Sequence, residues 1–277
     1  GGNYNTVVGD EAGTAITTGD TNTGVGYKAL ALTDTGSTNV GLGAYALQRN
    51  TSAAYNTGVG YDVLGSNTTG DLNVAIGYEA LGTNVAGDKS VAIGVQALYA
   101  QNPSGNADMY NTAVGYSAGA AVNTGIENTL IGGLAGDALT GGAANIALGY
   151  NALSTDTGGN ASIAIGKNAL STQNLGIDTF NTAVGFAAGA GVTTGVKNTF
   201  LGGLAGDATT DADENVAIGY DSLGTNILGG ASVAVGASAL RTQNPASAVT
   251  MYNTAVGHFA GYAVTTGIQN TLIGGLA

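Results

Sequence analysis

The sequence predicts an all-β fold, a parallel β-solenoid of about 16 coils with a 17-residue repeat. A short phrase, Asn–β-branched–small–aliphatic–Gly, occurs sixteen times. Twelve of the fifteen steps between its final glycines are 17 residues long, as from Gly9 to Gly26. Such a phrase is too short for a helix, and its alternation is typical of a β-strand. One repeat unit of this length cannot enclose a core by itself, whereas copies stacked on one another can.

Each phrase ends in a glycine, the core glycine, which is position 0 of its copy. Position −1 is aliphatic and position −3 is β-branched in all sixteen copies. Position −4 is Asn in thirteen copies and Ser in the others, at Ser90, Ser162 and Ser232. The core glycines are Gly9, Gly26, Gly43, Gly60, Gly77, Gly94, Gly115, Gly132, Gly149, Gly166, Gly185, Gly202, Gly219, Gly236, Gly257 and Gly274.

These regularities predict columns of equivalent side chains along the stack. We expect positions −1 and −3 to point inward, each packed on its copies in the neighbouring coils. The Asn column is predicted to form a ladder of side-chain amides hydrogen-bonded from coil to coil, as stacked Asn residues do in cross-β structures. The core glycine would supply a positive φ or a close backbone approach.

A compensation between two positions supports the stacking. Where position +4 is Gly, position +7 is usually apolar, as in Gly119 and Val122, with Thr209 the one exception. Where position +4 is Leu and the step to the next core glycine has the usual length, position +7 is polar, as in Leu47 and Asn50. Because protein interiors conserve volume, we expect both positions to point at one core space.

Three longer steps follow the Ser-type copies and divide the chain into superunits of four coils; they run from Gly94 to Gly115, from Gly166 to Gly185 and from Gly236 to Gly257. The extra residues predict expanded loops at 100–110, 171–180 and 241–252. Residues near the loop ends are candidates for contact with a receptor, a glycan or a neighbouring chain. The alternative is that the loops fold back to cover an edge or an inter-chain groove. The candidates are Met109, Tyr110, Phe180, Met251 and Tyr252.

The strand face opposite positions −1 and −3 is expected to be the outer one. Position −2, on this face, is Ala or Gly in most copies and is larger at Leu130, Phe200 and Leu272. A lone solenoid would carry charged or long polar side chains on its outside, so a small apolar face predicts that another chain lies against it. We therefore expect a parallel homo-oligomer, a trimer, with inter-chain packing through Leu130, Phe200 and Leu272.

Composition narrows the partners. The formal net charge is −12 and only 9% of residues are charged, which argues against nucleic acid and anionic membrane as direct partners. The apolar runs are too short to span a bilayer, so no membrane insertion is expected. The chain from 1 to 277 is expected to form a single repeat array, cut from a longer fibre.

Residues that could carry chemistry are few. There is no Cys, and the single histidine, His258, follows a core glycine where other copies have a tyrosine, so it is expected to be a surface or packing ring. The acidic cluster of Asp211, Asp213 and Glu214 is expected to be a solvated turn, with a weak cation site or a glycosidase pair as the alternatives. The sequence thus predicts no enzyme and no cofactor or metal.

A resemblance to two related groups of proteins is carried by the phrases NTAVGYSAG, NVAIGYEAL and SVAIGVQAL. They resemble the head repeats of trimeric autotransporter adhesins, a left-handed parallel β-roll, and the shaft repeats of tail fibres from tailed phages. The copy here is longer than the autotransporter repeat, which favours the phage-fibre comparison. The resemblance covers the whole chain and implies a left-handed, trimeric fibre on a virion or a cell surface, and neither group has catalytic residues to carry over.

The leading functional expectation is a structural shaft or spacer segment of a trimeric tail fibre or surface adhesin that supports attachment to host cells. Its partners would be copies of itself and other fibre or virion proteins. The runner-up is a module that binds a receptor or host glycan through the expanded loops. A polysaccharide depolymerase using Asp211 and Asp213, and an ice-binding protein using a flat Thr array, rank below these.

Overall fold

The chain is all-β and forms a parallel β-solenoid of about sixteen turns with the 17-residue repeat, which confirms the predicted architecture. The computed structural model describes residues 2–277, and no helix occurs within them. The chain folds as two compact units, one ending at Gly141 and the other beginning at Gly142. That the two form one uninterrupted array stays a prediction.

The first unit contains eight strands that stack in one parallel column and two shorter strands outside this column. Neighbouring strands of the column pair in parallel with a register shift of one repeat, for example Thr6 with Thr23. The strands are β1 (Thr6–Val8), β2 (Thr23–Val25), β3 (Val40–Leu42), β4 (Thr57–Val59), β5 (Val74–Ile76), β6 (Gly87–Asp88), β7 (Val91–Ile93), β8 (Ala107–Asp108), β9 (Thr112–Val114) and β10 (Thr129–Ile131).

The second unit repeats this arrangement. Its column also pairs in parallel, for example Ile163 with Thr182 across the longer step between Gly166 and Gly185. The strands are β11 (Ile146–Leu148), β12 (Ile163–Ile165), β13 (Thr182–Val184), β14 (Thr199–Leu201), β15 (Val216–Ile218), β16 (Gly229–Gly230), β17 (Val233–Val235), β18 (Val249–Thr250), β19 (Thr254–Val256) and β20 (Thr271–Ile273).

The core glycines lie where successive turns approach most closely. Their φ values fall between 128° and 144°, a region open only to glycine. A Cβ atom on Gly77 would lie 2.4 Å from the carbonyl oxygen of Gly94, and thirteen further core glycines have equivalent distances of 2.2–2.7 Å to the next core glycine's backbone. Both predicted reasons for glycine, positive φ and close approach, are therefore confirmed.

Many residues other than glycine also have a left-handed backbone. Forty-one of them have φ between 47° and 62°, at positions −5 and +2 of every turn and at position +4 wherever it is Leu. Each such residue costs about 1 kcal/mol relative to ordinary backbone. Hydrogen bonds between turns hold these residues in place: the amide of Lys28 donates to the Asp10 carbonyl at 3.0 Å, and that of Leu30 to the Ala46 carbonyl at 3.0 Å.

The Asn column at position −4 is fully buried in most turns and forms the predicted ladder. The Asn39 main-chain N–H donates to Asn22 Oδ1 at 3.0 Å, and Asn39 Nδ2 donates both to the same oxygen at 3.1 Å and to the Ala53 carbonyl at 2.8 Å. A second amide column lies at position +7, where Asn67 Nδ2 donates to Asn50 Oδ1 at 3.1 Å. Buried amides in both columns are thus paired from turn to turn, as buried polar groups require.

The two faces of the strands are the reverse of those predicted. The middle residue of the column strands, position −2, is buried in fourteen turns, whereas positions −3 and −1 are half-buried or exposed in all sixteen. Ala75 at position −2 is fully buried, while Ile76 beside it is 39% exposed. The expectation that the aliphatic and β-branched columns point inward is therefore wrong.

The physical reason is the small volume inside each turn. The leucines at position +4 fill the interior, so a Cβ on Gly24 at position −2 would already lie 3.1 Å from Leu30 Cδ1. Only Gly or Ala fits at position −2 beside such a leucine. Interiors are packed too densely to hold both a leucine and a larger residue there.

This volume rule also explains Leu130, Phe200 and Leu272, which were expected to pack against another chain. Leu130 and Phe200 are fully buried within their own unit, and Leu272 is half-buried in the last described turn. Each stands next to glycines at position +4, which leave room for it. The inter-chain assignment is therefore wrong for Leu130 and Phe200. The neighbouring glycines are Gly119 and Gly136 for Leu130, Gly189 and Gly206 for Phe200, and Gly261 for Leu272.

The compensation between positions +4 and +7 is confirmed. A Cβ on Gly119 would lie 3.3 Å from Val122 Cγ2, and one on Gly136 would lie 3.0 Å from Leu139 Cδ1, so both positions face one space. Thr209, the exception in the sequence, is fully buried and its hydroxyl has no hydrogen-bond partner. This residue is therefore a local weakness of the core, because an unpaired buried hydroxyl is destabilising.

Replacing Gly77 by Ala is expected to lower the free energy of unfolding by more than about 3 kcal/mol, because the new Cβ meets rigid backbone at a φ of 133°. Gly105→Ala is the matched control, since a Cβ there meets no atom within 4 Å. The midpoints of thermal unfolding, followed by circular dichroism, measure both effects. A Gly77→Ala protein as stable as the Gly105→Ala protein would contradict the close stacking.

Candidate functional site

Two features of the surface are candidates for function: the three expanded loops and the outward strand face. Loop 1 is 100–110, loop 2 is 171–180 and loop 3 is 241–252. All three fold back on the preceding turn. In loop 1, β8 pairs in parallel with β6, in loop 3, β18 pairs with β16, and in loop 2, Asp178 forms a single bridge with Asn160.

A glutamine at the start of each loop repairs the Asn ladder. Gln243 is fully buried, and its Oε1 accepts hydrogen bonds from Ser232 Oγ at 3.2 Å and from Asn253 Nδ2 at 2.8 Å. Gln101 makes the same pair of contacts with Ser90 and Asn111. The glutamine thus supplies the amide that the Ser-type copy lacks. This role was not predicted from the sequence, although a glutamine follows each of the three serines at one constant spacing.

The five candidate loop residues separate into two groups. Met109 and Met251 are buried, with 1% and 0% exposure, so the expectation that they contact a receptor or another chain is wrong. They fill the core space beside two glycines. A Cβ on Gly87 would lie 3.1 Å from the Cγ of Met109, and one on Gly229 would lie 3.0 Å from the Cγ of Met251. Their burial follows from the fold-back of the loops.

The other three candidates, all aromatic, lie on the surface. Tyr110 is 52% exposed, Phe180 is 54% exposed and Tyr252 is 62% exposed. Each occupies position −5 of the turn that follows its loop and has a left-handed backbone, with φ between 51° and 54°. These rings are therefore exposed, and their contact with a partner stays a prediction.

Loop 1 carries a small charged cluster. Lys89 Nζ lies 2.7 Å from Asp108 Oδ2, and it donates to the Tyr110 hydroxyl at 3.2 Å, while that hydroxyl donates to Asp108 Oδ2 at 3.0 Å. The hydrogen bond from Lys89 lowers the pKa of the Asp108 carboxyl, and the same bond raises the pKa of Lys89. The cluster ties the end of loop 1 to the preceding turn.

Beside loop 3 lies an open groove of about 330 Å³. The acidic residues of 211–214 form one wall, and Leu228 and Val249 contribute apolar surface that the sequence did not predict. The carboxylates already have partners in the preceding turn. Asp213 Oδ1 accepts from the Val196 amide at 2.8 Å, and Glu214 Oε1 lies 3.4 Å from Lys197 Nζ.

The groove contains no arrangement that would hold a metal ion. Among residues 2–277 no three His, Cys, Asp or Glu side chains are grouped in that way. The single histidine, His258, is exposed and packs its ring edge-to-face on Phe259, with ring centroids 4.2 Å apart. No helix in the described part of the chain is long and apolar enough to cross a membrane.

The outward strand face forms a regular surface along each unit. Positions −3 and −1 of the eight turns make up what we call the outer stripe, and none of its residues is charged. Position −1 is aliphatic throughout, with exposures of 41% at Leu148 and 46% at Leu201. Beside the stripe, position +1 is often aromatic. The stripe is an extended apolar surface of the kind that marks a contact with another protein.

Rings also contact one another along one edge of the stripe in the first unit. Tyr27 and Tyr45 have ring centroids 5.3 Å apart, Tyr45 and Tyr61 are 5.5 Å apart, and Tyr61 and Tyr78 are 5.6 Å apart. These side chains are half-exposed or exposed. They extend the apolar surface beyond the stripe itself.

No family model, curated protein or solved structure matches this chain. The functional conclusion therefore depends on the geometry of the outer stripe and the loops. That geometry offers flat apolar surface and exposed rings for binding.

Gln243→Ala is expected to lower the free energy of unfolding by about 3 kcal/mol, because it leaves buried groups of Ser232 and Asn253 without their partner. Gln96→Ala is the matched control: this half-buried glutamine makes one side-chain bond, to Glu79, and its loss should cost less than about 1 kcal/mol. Urea unfolding of both variants provides the comparison. Equal losses would show that the ladder does not need the loop glutamine.

Proposed function

We propose that this chain is a structural module of a fibre built from several copies, a shaft or spacer segment that supports attachment to host cells. The observation that carries the proposal is the outer stripe, which is uncharged and apolar at position −1 in every turn. A chain with a net charge of −12 keeps its charges away from this one surface. An apolar strand face of this length is costly to leave in water.

The size of the stripe supports contact with further copies. Eight turns at about 4.8 Å each extend about 38 Å, and the three residues of each strand extend about 10 Å, so the stripe of one unit covers roughly 400 Å². The two stripes of one chain together come to roughly 800 Å², which is the area that one partner contributes to a standard interface. Every turn repeats the same surface, which suits copies of the same chain.

The finer features of the proposal depend on the resemblance to tail-fibre shafts and adhesin heads. They are left-handed winding, three chains and a location on a virion or cell surface. Other fibre or virion proteins would join this segment at its ends. The proposal assigns no catalytic residue and no cofactor to the chain.

The protein is expected to sediment as a trimer, with a mass three times the 26.8 kDa of one chain. Leu148→Glu should separate the chains, because it would place a carboxylate from each chain in the apolar contact. Ile177→Glu is the matched control, since Ile177 is an exposed aliphatic residue of loop 2, outside the outer stripe. Sedimentation equilibrium measures the mass of each. A monomeric wild-type protein would overturn the proposal.

A second function is favoured by the exposed loop aromatics. Tyr110, Phe180 and Tyr252 present rings to solvent at the base of the loops, and such rings stack on the apolar faces of sugars and on protein side chains. We propose glycan or receptor binding through these rings as the alternative role of the chain.

The alternative predicts that Tyr252→Ser reduces binding of the protein to host cells or to a glycan array at least tenfold while the thermal unfolding midpoint stays within a few degrees, because the ring lies on the surface. The control is Tyr220→Ser, which removes an equally exposed ring away from the loops. Undiminished binding by Tyr252→Ser would argue against the alternative and leave the shaft role as the function.

A further inference from the structure

Most of the aromatic residues on one side of the outer stripe share their turn with a ring on its other side. Five turns carry a ring at position −5, on one side of the stripe, and four of these also carry a ring at position +1, on its other side. The remaining turn pairs Tyr4 with Asp10. The four pairs are Tyr55 with Tyr61, Tyr110 with Tyr116, Phe180 with Phe186, and Tyr252 with His258.

Both members of each pair face outward. Positions −4 and −2 are buried, and the side chains at −5, −3, −1 and +1 lie on the exposed side. Phe180 and Phe186 are 54% and 55% exposed, and Tyr110 and Tyr116 are 52% and 62% exposed. Within residues 2–277 no pair has its two rings in contact with each other. Contact inside one chain therefore does not explain why the rings occur on the same turn.

Contact between copies does explain it. In a parallel assembly with rotational symmetry about an axis along the stack, equal turns lie at equal height. Rotation brings the −5 side of one chain against the +1 side of its neighbour, so a turn with both rings forms a ring pair across the interface. An antiparallel assembly would bring together different turns, and the coincidence within one turn would serve no purpose.

We propose that the four ring pairs set the register between copies of this chain: the position −5 ring of one chain packs on the position +1 ring of the same turn in its neighbour. This inference depends on the proposed function, because it names the contacts that align the chains of the fibre. An outer stripe of near-identical turns could slide by a whole turn at little cost in apolar contact. Rings on selected turns remove that freedom, since a shift of one turn in either direction leaves Tyr110, Phe180 and Tyr252 without a ring opposite them.

Cross-linking between different chains tests the register. The chain contains no cysteine, so single-cysteine variants report on one position each. Chains with Phe180→Cys are co-expressed with chains with Phe186→Cys and treated with a short bis-maleimide. Phe180→Cys co-expressed with Tyr220→Cys is the control, because Tyr220 occupies position +1 two turns further along.

The Phe180→Cys and Phe186→Cys mixture should give a covalent dimer in high yield, whereas the control mixture and each variant alone should give little. Cross-linking of the control pair at an equal or higher yield, or of Phe180→Cys chains with one another, would overturn the proposed register. The same samples are weighed by sedimentation before cross-linking. A monomer would overturn the fibre proposal itself, whereas an oligomer without the Phe180–Phe186 cross-link overturns the register alone.

An energetic measurement adds a second check. Phe186→Ser should weaken association about tenfold, because it also leaves the neighbour's Phe180 unpaired. Tyr220→Ser should weaken association much less, since position −5 of its turn is Glu214. Both rings are more than half exposed in the single chain, so neither change should unfold it, and the circular dichroism spectra of the two variants should match. Equal effects on association would contradict the ring pairs.

Discussion

The close approach of successive turns at the core glycines is the constraint on which the rest of the structure depends. The Gly26 amide donates to the Val8 carbonyl of the preceding turn at 2.9 Å. The backbone of the following turn lies so near that Gly26 has no room for a Cβ. Turns held this closely must match in register, because a slip of one residue would set larger side chains against backbone. The hydrogen-bonded columns of Asn are possible only because this register repeats.

The interior of each turn is narrow as a result, and the side chains that do not fit inside lie on the surface. Each turn has room for one leucine and a few alanines, or for two glycines beside one larger residue such as Phe200. The β-branched and aliphatic residues of the strands find no space inside and form the outer stripe. The apolar surface proposed to join the copies is thus a consequence of how little each turn can enclose.

The sequence predicted the repeat, the strand positions and the Asn ladder, because these depend on spacing alone. It did not predict which strand face points inward, since alternation has two phases and a one-residue shift exchanges them. A signal was present: Leu130 and Phe200 occur only between turns whose position +4 is glycine. The burial of Met109 and Met251 follows the alternative in which the loops fold back, and the sequence alone did not decide between the two.

The left-handed residues described above have a consequence for how the protein folds. A single turn contains two or three of them, and they cost about 1 kcal/mol each unless neighbouring turns provide hydrogen bonds. The first stacked pair is therefore the least favourable species, and every later turn is added to a surface already prepared for it. Folding of this kind resembles crystal growth, with a slow nucleus followed by rapid extension along the stack.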